Sequence, residues 1–89
     1  MIEEITIQEL AAMEPSACQI IDMRDSTAFA LGHIDGAVLI PQKELEASHK
    51  NLPKDKTLVI YCRSGILSAD VAEQLREEGY AAVNLVGGY

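Results

Sequence analysis

The segment Thr57-Leu58-Val59-Ile60-Tyr61 constrains the chain more than any other. It is β-branched and apolar along its whole length, with no alternation that would leave one face for water. A strand of this kind is stable only with both faces covered, which places it at the centre of a parallel sheet with helices packed on each side. The rest of the chain supplies the other layers. Short apolar runs at 18–22, 38–40 and 82–86 read as further strands, and Ile5-Thr6 as a brief first one. Helical stretches lie between them. Thr6-Ile7-Gln8-Glu9 matches a capping box that opens a helix ended by Pro15. Ser26 to Leu31 reads as a short helix with Ser26 as its cap and Gly32 as its stop. A third helix is expected over Gln42 to His49. The strongest runs from Ser68 to Glu78, with Ala69, Val71, Ala72 and Leu75 on its apolar side and Gly79 beyond its end. The expected fold is a single α/β domain over residues 1–89, with a central parallel sheet of about five short strands and helices on both faces.

Charge excludes several partners. The net charge is −7, and the seven Lys and Arg residues are scattered with no two adjacent. Nucleic-acid backbones and anionic membrane surfaces are held by clustered cations, so neither is an expected partner. No apolar run approaches the length of a bilayer span, and Met1-Ile2-Glu3-Glu4 lacks a signal-peptide core, so a cytoplasmic location is expected. The two cysteines, Cys18 and Cys62, are too few for a disulfide framework and each needs its own explanation.

Cys18 opens a buried strand and reads as a small core residue. Cys62 stands elsewhere: it is the first residue past the central strand, in the loop Cys62-Arg63-Ser64-Gly65-Ile66-Leu67-Ser68 that leads into the best helix. Ligands of open α/β sheets bind at this kind of strand end, against helix N-termini. Unpaired amides and the positive end of the helix favour a thiolate over a thiol, Arg63 adds positive charge, and Gly65 lets the loop curl so that amides converge. A thiolate inside a cup of amides is a nucleophile with its anion stabiliser built in. Asp22 and Arg24 follow a neighbouring strand and could flank this site, although an internal ion pair explains them more simply. His33, between Gly32 and Ile34, could be a base. A thiolate already stabilised by amides needs none, so a structural role is expected for it. His49, beside Lys50, reads as solvated, and Gly87-Gly88 as a tight turn without direct chemistry.

These residues carry a resemblance. Tyr61-Cys62-Arg63-Ser64-Gly65-Ile66-Leu67-Ser68 is similar to the active-site loop of rhodanese-type sulfurtransferases. Asp22-Met23-Arg24 resembles that family's Asp-x-Arg segment. Gly32-His33-Ile34-Asp35-Gly36-Ala37 followed by Ile40-Pro41 resembles its Gly-His-Ile-x-Gly-Ala-x-x-Ile-Pro segment, and Leu85 with Gly87-Gly88 its closing motif. The matches run in the family's order across essentially the whole chain. The resemblance implies a rhodanese-like fold and transfer of a sulfane sulfur. Cys62 would take sulfur from thiosulfate or a persulfide and pass it to a thiol or cyanide, and the amides from Arg63 to Ser68 would hold the persulfide anion. It implies no metal and no organic cofactor. Partners would be a small sulfur donor and a thiol acceptor, including a sulfur-relay protein.

The chain departs from the family at three places. Leu67 stands where many members carry Arg, and Ala28 where many carry Glu. The family usually continues past Gly-Gly-Tyr with a terminal helix, so a missing or shortened C-terminal helix is expected, with an apolar patch near Val86 and Tyr89 suited to a monomer or a weak homodimer. Two other functions stay open from the residues. One is a non-catalytic interaction module that uses the fold for docking. The other, more remote, is a cysteine phosphatase or arsenate reductase. Phosphatases of related fold need Cys-x5-Arg, and the position of that Arg is Ser68 here.

Overall fold

A computed structural model describes residues 3–48 and 51–89. It contains five strands, β1 (Glu4–Ile5), β2 (Cys18–Asp22), β3 (Val38–Leu39), β4 (Thr57–Tyr61) and β5 (Ala81–Leu85). The helices are α1 (Ile7–Ala11), α2 (Ser26–Leu31), α3 (Gln42–Ser48) and α4 (Leu67–Glu77), with a 3-10 turn at Pro15–Ala17. All strand pairs are parallel, in the order β1-β5-β4-β2-β3. The apolar run at 57–61 is therefore the middle strand, as its two-faced hydrophobicity demands.

Side chains of β4 alternate between two cores. Leu58, Ile60 and Cys62 join a cluster with Leu45 of α3 and Val71, Ala72 and Leu75 of α4. Val59 and Tyr61 join a second cluster with Leu10 of α1 and Val83 and Leu85 of β5. Each fully buried Leu or Ile contributes about 1.5–3 kcal/mol relative to exposure, so this one strand anchors both layers. Cys18 is half-buried and packs against the second cluster, the core role expected of it.

Strand order creates the site. The connections from β1 to β2 and from β2 to β3 step across the sheet in one direction, while those from β3 to β4 and from β4 to β5 step in the other. The loops leaving the neighbouring strands β2 and β4 therefore diverge to opposite faces and open a crevice at their carboxyl ends. Register fixes what lies there: Asp22 pairs with Tyr61, so the residues that follow each strand emerge side by side.

Local signals set most element ends. Thr6 and Glu9 form the expected capping box: the Glu9 amide donates to Thr6 Oγ1 at 3.1 Å, and the Thr6 amide to Glu9 Oε1 at 2.9 Å. Several ends differ from expectation by one residue: β1 is Glu4–Ile5, β3 stops at Leu39 and α4 stops at Glu77. The cap of α2 is Asp25, whose Oδ1 accepts from the Ala28 amide at 2.8 Å, and Ser26 is the first helical residue. A carboxylate one residue earlier satisfies the same donor, so Ser26 is not needed there. Helix α4 begins at Leu67 and has no side-chain cap. Strand β5 runs one residue earlier than the apolar pattern suggested, because pairing with β4 begins at Ala81 opposite Thr57. The expected end of α3 at His49, and the reading of His49 itself, lie outside the described residues. Among those described, no helix is long and apolar enough to cross a membrane.

Candidate active site

Cys62 follows β4, is only 6% exposed and lines a cavity of about 190 Å³. Met23, Arg24 and Asp25 from the β2 loop, Gln42 from α3, and Arg63, Ser64 and Leu67 from its own loop form the walls. The loop wraps the sulfur. The Gly65 amide donates to Cys62 Sγ at 3.2 Å, and Ser68 Oγ lies 3.2 Å from it on the other side. Gly65 has φ of +82°, where a Cβ would strike the backbone of Gly87 at 3.1 Å and Leu85 O at 3.3 Å. Only glycine both curls the loop and lets the chain end pack beneath it.

Electrostatics at the sulfur are a contest. Burial pushes the thiol up. The Ser68 hydroxyl and the amides of Ser68, Gly65 and Ser64 pull it down, and together they hold it below the ordinary cysteine value. The uncapped first turn of α4 leaves its amides free to do this.

The second half of the crevice is a closed ion-pair network. Arg24 Nη2 donates to Asp22 Oδ2 at 2.6 Å, Arg24 Nε lies 3.0 Å from Oδ1, and the Arg24 amide donates to Oδ1 at 2.9 Å. The Tyr61 hydroxyl donates to Asp22 Oδ2 at 2.7 Å and accepts from the Ile34 amide at 3.1 Å. Burial pushes Asp22 up, but the Arg24 hydrogen bonds and the Tyr61 hydroxyl hold its carboxyl below the usual carboxylate range. Burial also drives Tyr61 up to about 12, so its hydroxyl keeps its proton and remains a donor.

Of the residues picked from sequence, Cys62, Arg63, Ser64, Leu67 and Arg24 come together around one cavity. Gly65 and Ser68 touch the sulfur directly. Ile66 is 70% exposed and is not among the residues that line the cavity. Asp22 sits behind Arg24 and is fully buried. His33 stacks on Phe29 at 3.7 Å between ring centroids, with Nδ1 2.9 Å from Phe29 O, and lines neither the Cys62 cavity nor the adjoining one. A second cavity of about 480 Å³ adjoins the first through Arg24 and Arg63, and Ala28, Leu31 and Tyr89 line it. Leu67 therefore lines the cavity that Cys62 lines, and Ala28 the adjoining one.

Sequence reasoning missed Asn84, Tyr89 and the full part played by Gly88. Asn84 is fully buried, and its amide reaches both Ser68 and the carbonyl of Gly65. A lone amide in an otherwise apolar strand was its signal. The Tyr89 amide donates to Cys62 O at 2.8 Å, and its ring covers Arg24 at 4.6 Å from the guanidinium carbon. Gly88 has φ of +65°, and a Cβ there would lie 2.2 Å from Cys62 O. The turn at Gly87-Gly88 thus braces the reactive loop as well as reversing the chain.

Comparison with known proteins points one way. The family model of the Rhodanese-like domain matches residues 6–89. The chain is 35% identical over 89 residues to the thiosulfate sulfurtransferase GlpE of Shewanella oneidensis, covering 98% of this chain and 88% of that protein. It is 39% identical over 72 residues to a probable adenylyltransferase/sulfurtransferase, MoeZ, of Mycobacterium tuberculosis, covering 78% of this chain but only 18% of that longer protein. The crystal structure of a rhodanese-like domain protein from Staphylococcus aureus matches with a TM-score of 0.85 at 34% identity, covering 98% of this chain and 87% of that one.

Proposed function

The chain belongs to the rhodanese-like domain family, and from that premise we propose that it is a sulfurtransferase of the thiosulfate type, a single domain over 1–89 with Cys62 as nucleophile. The observation that carries this is the sulfur of Cys62 at the end of the central strand, with the Gly65 amide and the Ser68 hydroxyl at 3.2 Å and a cavity that Cys62 itself lines.

The chemistry closes without a cofactor. The Cys62 thiolate attacks the outer sulfur of thiosulfate, a new sulfur–sulfur bond forms, and the old one breaks with its electron pair leaving on sulfite. With an organic persulfide as donor, the leaving group is the thiolate. The Cys62 persulfide carries its negative charge into the cup formed by the amides of Ser64, Gly65 and Ser68, the same groups that stabilise the thiolate, while the Ile66 amide donates to Ser64 Oγ. An acceptor thiolate or cyanide then attacks the terminal sulfur, and the electron pair returns to Cys62. Arg63, 74% exposed, attracts an anionic donor to the rim, while Arg24 and Asp22 hold the neighbouring wall. The exposed apolar side chains of Ile66 and Leu67 and the adjoining cavity suit a persulfide with an organic body, or the loaded thiol of a relay protein. The cytoplasm, where both cysteines stay reduced, is the compartment that fits this role.

Intact mass after incubation with thiosulfate, and separately with a low-molecular-weight persulfide, tests the reading. A one-sulfur adduct on wild-type protein that is absent from Cys62→Ser is expected. No adduct from either donor overturns it.

A further inference from the structure

Asn84 is the one polar side chain of β5 and is fully buried. A buried amide is tolerable only when its donors and acceptor are all used. Its Nδ2 lies 3.0 Å from Glu4 Oε2 and 3.0 Å from the carbonyl of Gly65. A carboxylate and a carbonyl only accept, so this atom is the nitrogen and the other is the amide oxygen. That oxygen faces Ser68 Oγ at 2.5 Å and can only accept as well. The single hydroxyl hydrogen of Ser68 is therefore committed to Asn84. What Ser68 turns toward Cys62 Sγ, 3.2 Å away, is a lone pair.

This arrangement suits a thiol, which donates its own hydrogen to Ser68 Oγ. It does not suit a thiolate, which has no hydrogen to give and requires donors. When the Cys62 proton leaves to solvent, the Ser68 hydroxyl can rotate about its Cβ–Oγ bond and turn its hydrogen from Asn84 to sulfur. We infer that Asn84 is a positioning residue that acts on Cys62 through Ser68, competing with the sulfur for the Ser68 hydroxyl hydrogen. The hydroxyl is a two-position rotor: it rests on Asn84 while sulfur is neutral and moves to sulfur when sulfur is charged. Once sulfur transfer carries the charge outward onto the terminal sulfur, the hydroxyl returns to Asn84. Glu4 and the carbonyl of Gly65 keep the amide from flipping, so the contest has fixed terms.

Other charged groups face this sulfur and set the background. From the β2 loop they are Arg24, already bound to Asp22, and Asp25; on its own loop, Arg63; and from β1, Glu4 by way of Asn84. Helix α3 presents the uncharged Gln42, and α4 presents Leu67 and Ser68.

The inference rests on Cys62 being the reacting group of the proposed sulfurtransferase. A double-mutant cycle tests it, read as the iodoacetamide alkylation rate of the Cys62 peptide against pH, with the fold checked by denaturant unfolding. Ser68→Ala should slow alkylation at neutral pH about tenfold, the effect of one hydrogen bond to a charged group. Asn84→Leu should speed it by freeing the hydroxyl. Ser68→Ala/Asn84→Leu should match Ser68→Ala alone. If Asn84→Leu has no effect, or the same effect with and without Ser68, the inference is overturned, because Asn84 then only props the loop through Gly65. Asn84→Ala replaces Asn84→Leu if the larger side chain prevents folding. If neither folds, an unchanged profile in Ser68→Ala overturns the inference and a slowed one, restored by Ser68→Thr, sustains it. Sulfur uptake by intact mass separates the two readings. A working cycle without uptake refutes sulfur transfer alone, and uptake with a failed cycle refutes the rotor alone.

Discussion

Two arginines stand just past the ends of neighbouring parallel strands and use the same charge in opposite ways. Arg24 follows β2 and is 8% exposed. Its guanidinium grips both oxygens of Asp22, donates to Gly32 O at 2.7 Å and is roofed by Tyr89. Its donors are largely committed to holding the crevice. Arg63 follows Cys62 and is 74% exposed, and its partner Asp25, at 3.7 Å, is exposed too. Such a surface pair is worth at most about 1 kcal/mol, so the charge of Arg63 stays available to an incoming anion. One side of the crevice is charge fixed for structure. The other is charge and amides left open for a ligand. A site of this type needs both, because open donors stabilise a reacting anion only if a rigid neighbour keeps them from relaxing onto each other.

The largest test of this contrast removes the anion on the fixed side. Asp22→Ala strands a buried guanidinium and the Tyr61 hydroxyl, and should cost about 3–5 kcal/mol of stability in denaturant unfolding. A loss below about 1 kcal/mol would erase the distinction between the two arginines. Next comes the brace between the two sides. Gly88→Ala forces a side chain into left-handed backbone, which alone costs about 1–2 kcal/mol, and against the backbone of Cys62 and Arg63, so the loss should exceed that figure. Sulfur uptake at Cys62 should fall further than stability does, since relief of the clash moves the loop that holds the sulfur. Wild-type rates of uptake in this variant would show that the loop needs no brace. Arg63→Ala should leave stability within about 0.5 kcal/mol. Its uptake from thiosulfate should drop several-fold and lose most of its salt dependence; a retained salt slope would mean that another cation guides the donor.

The smallest effect is with pH. Asp22 has a folded pKa below its unfolded one, so its contribution to stability is complete above the unfolded carboxylate value of about 4. It is lost only as pH falls through the lower folded value. Cys62 is held below the ordinary thiol value, and its thiolate fraction falls as pH drops through that lowered pKa. As pH falls through the lowered Cys62 value, alkylation of Cys62 should decline, while the Asp22 contribution to the unfolding free energy stays constant down to about pH 4. A parallel fall in both would merge the two sides into one titrating unit.

Much of this was readable in advance, for local reasons. The bounds of β2 and β4 follow from apolar runs that end in a charged residue or a glycine-bearing loop. The Thr6/Glu9 box announces α1 by reciprocal side-chain bonding within four residues. Cys62 stood out because strand, loop and helix adjoin in sequence. The cap at Asp25 was misread by one residue because Asp and Ser are both good caps and only geometry shows which oxygen reaches the Ala28 amide. Asn84 was hidden for another reason. Its partners are Glu4, 80 residues away on β1, and Gly65 and Ser68 of the Cys62 loop, and no local pattern predicts their convergence.

Periodicity, glycine placement and apolar runs are properties of neighbouring residues, and they suffice to make this chain a parallel α/β sheet with Cys62 at the mouth of its central strand. What surrounds the sulfur depends instead on how distant segments pack. The order β1-β5-β4-β2-β3 sets Arg24 beside Arg63 and brings β5 with its Gly87-Gly88 turn beneath the loop. It also closes the path from Glu4 through Asn84 and Ser68 to Cys62. Hydrogen bonds and ion pairs act over about 3 Å in space regardless of separation along the chain, so which groups meet is settled by packing.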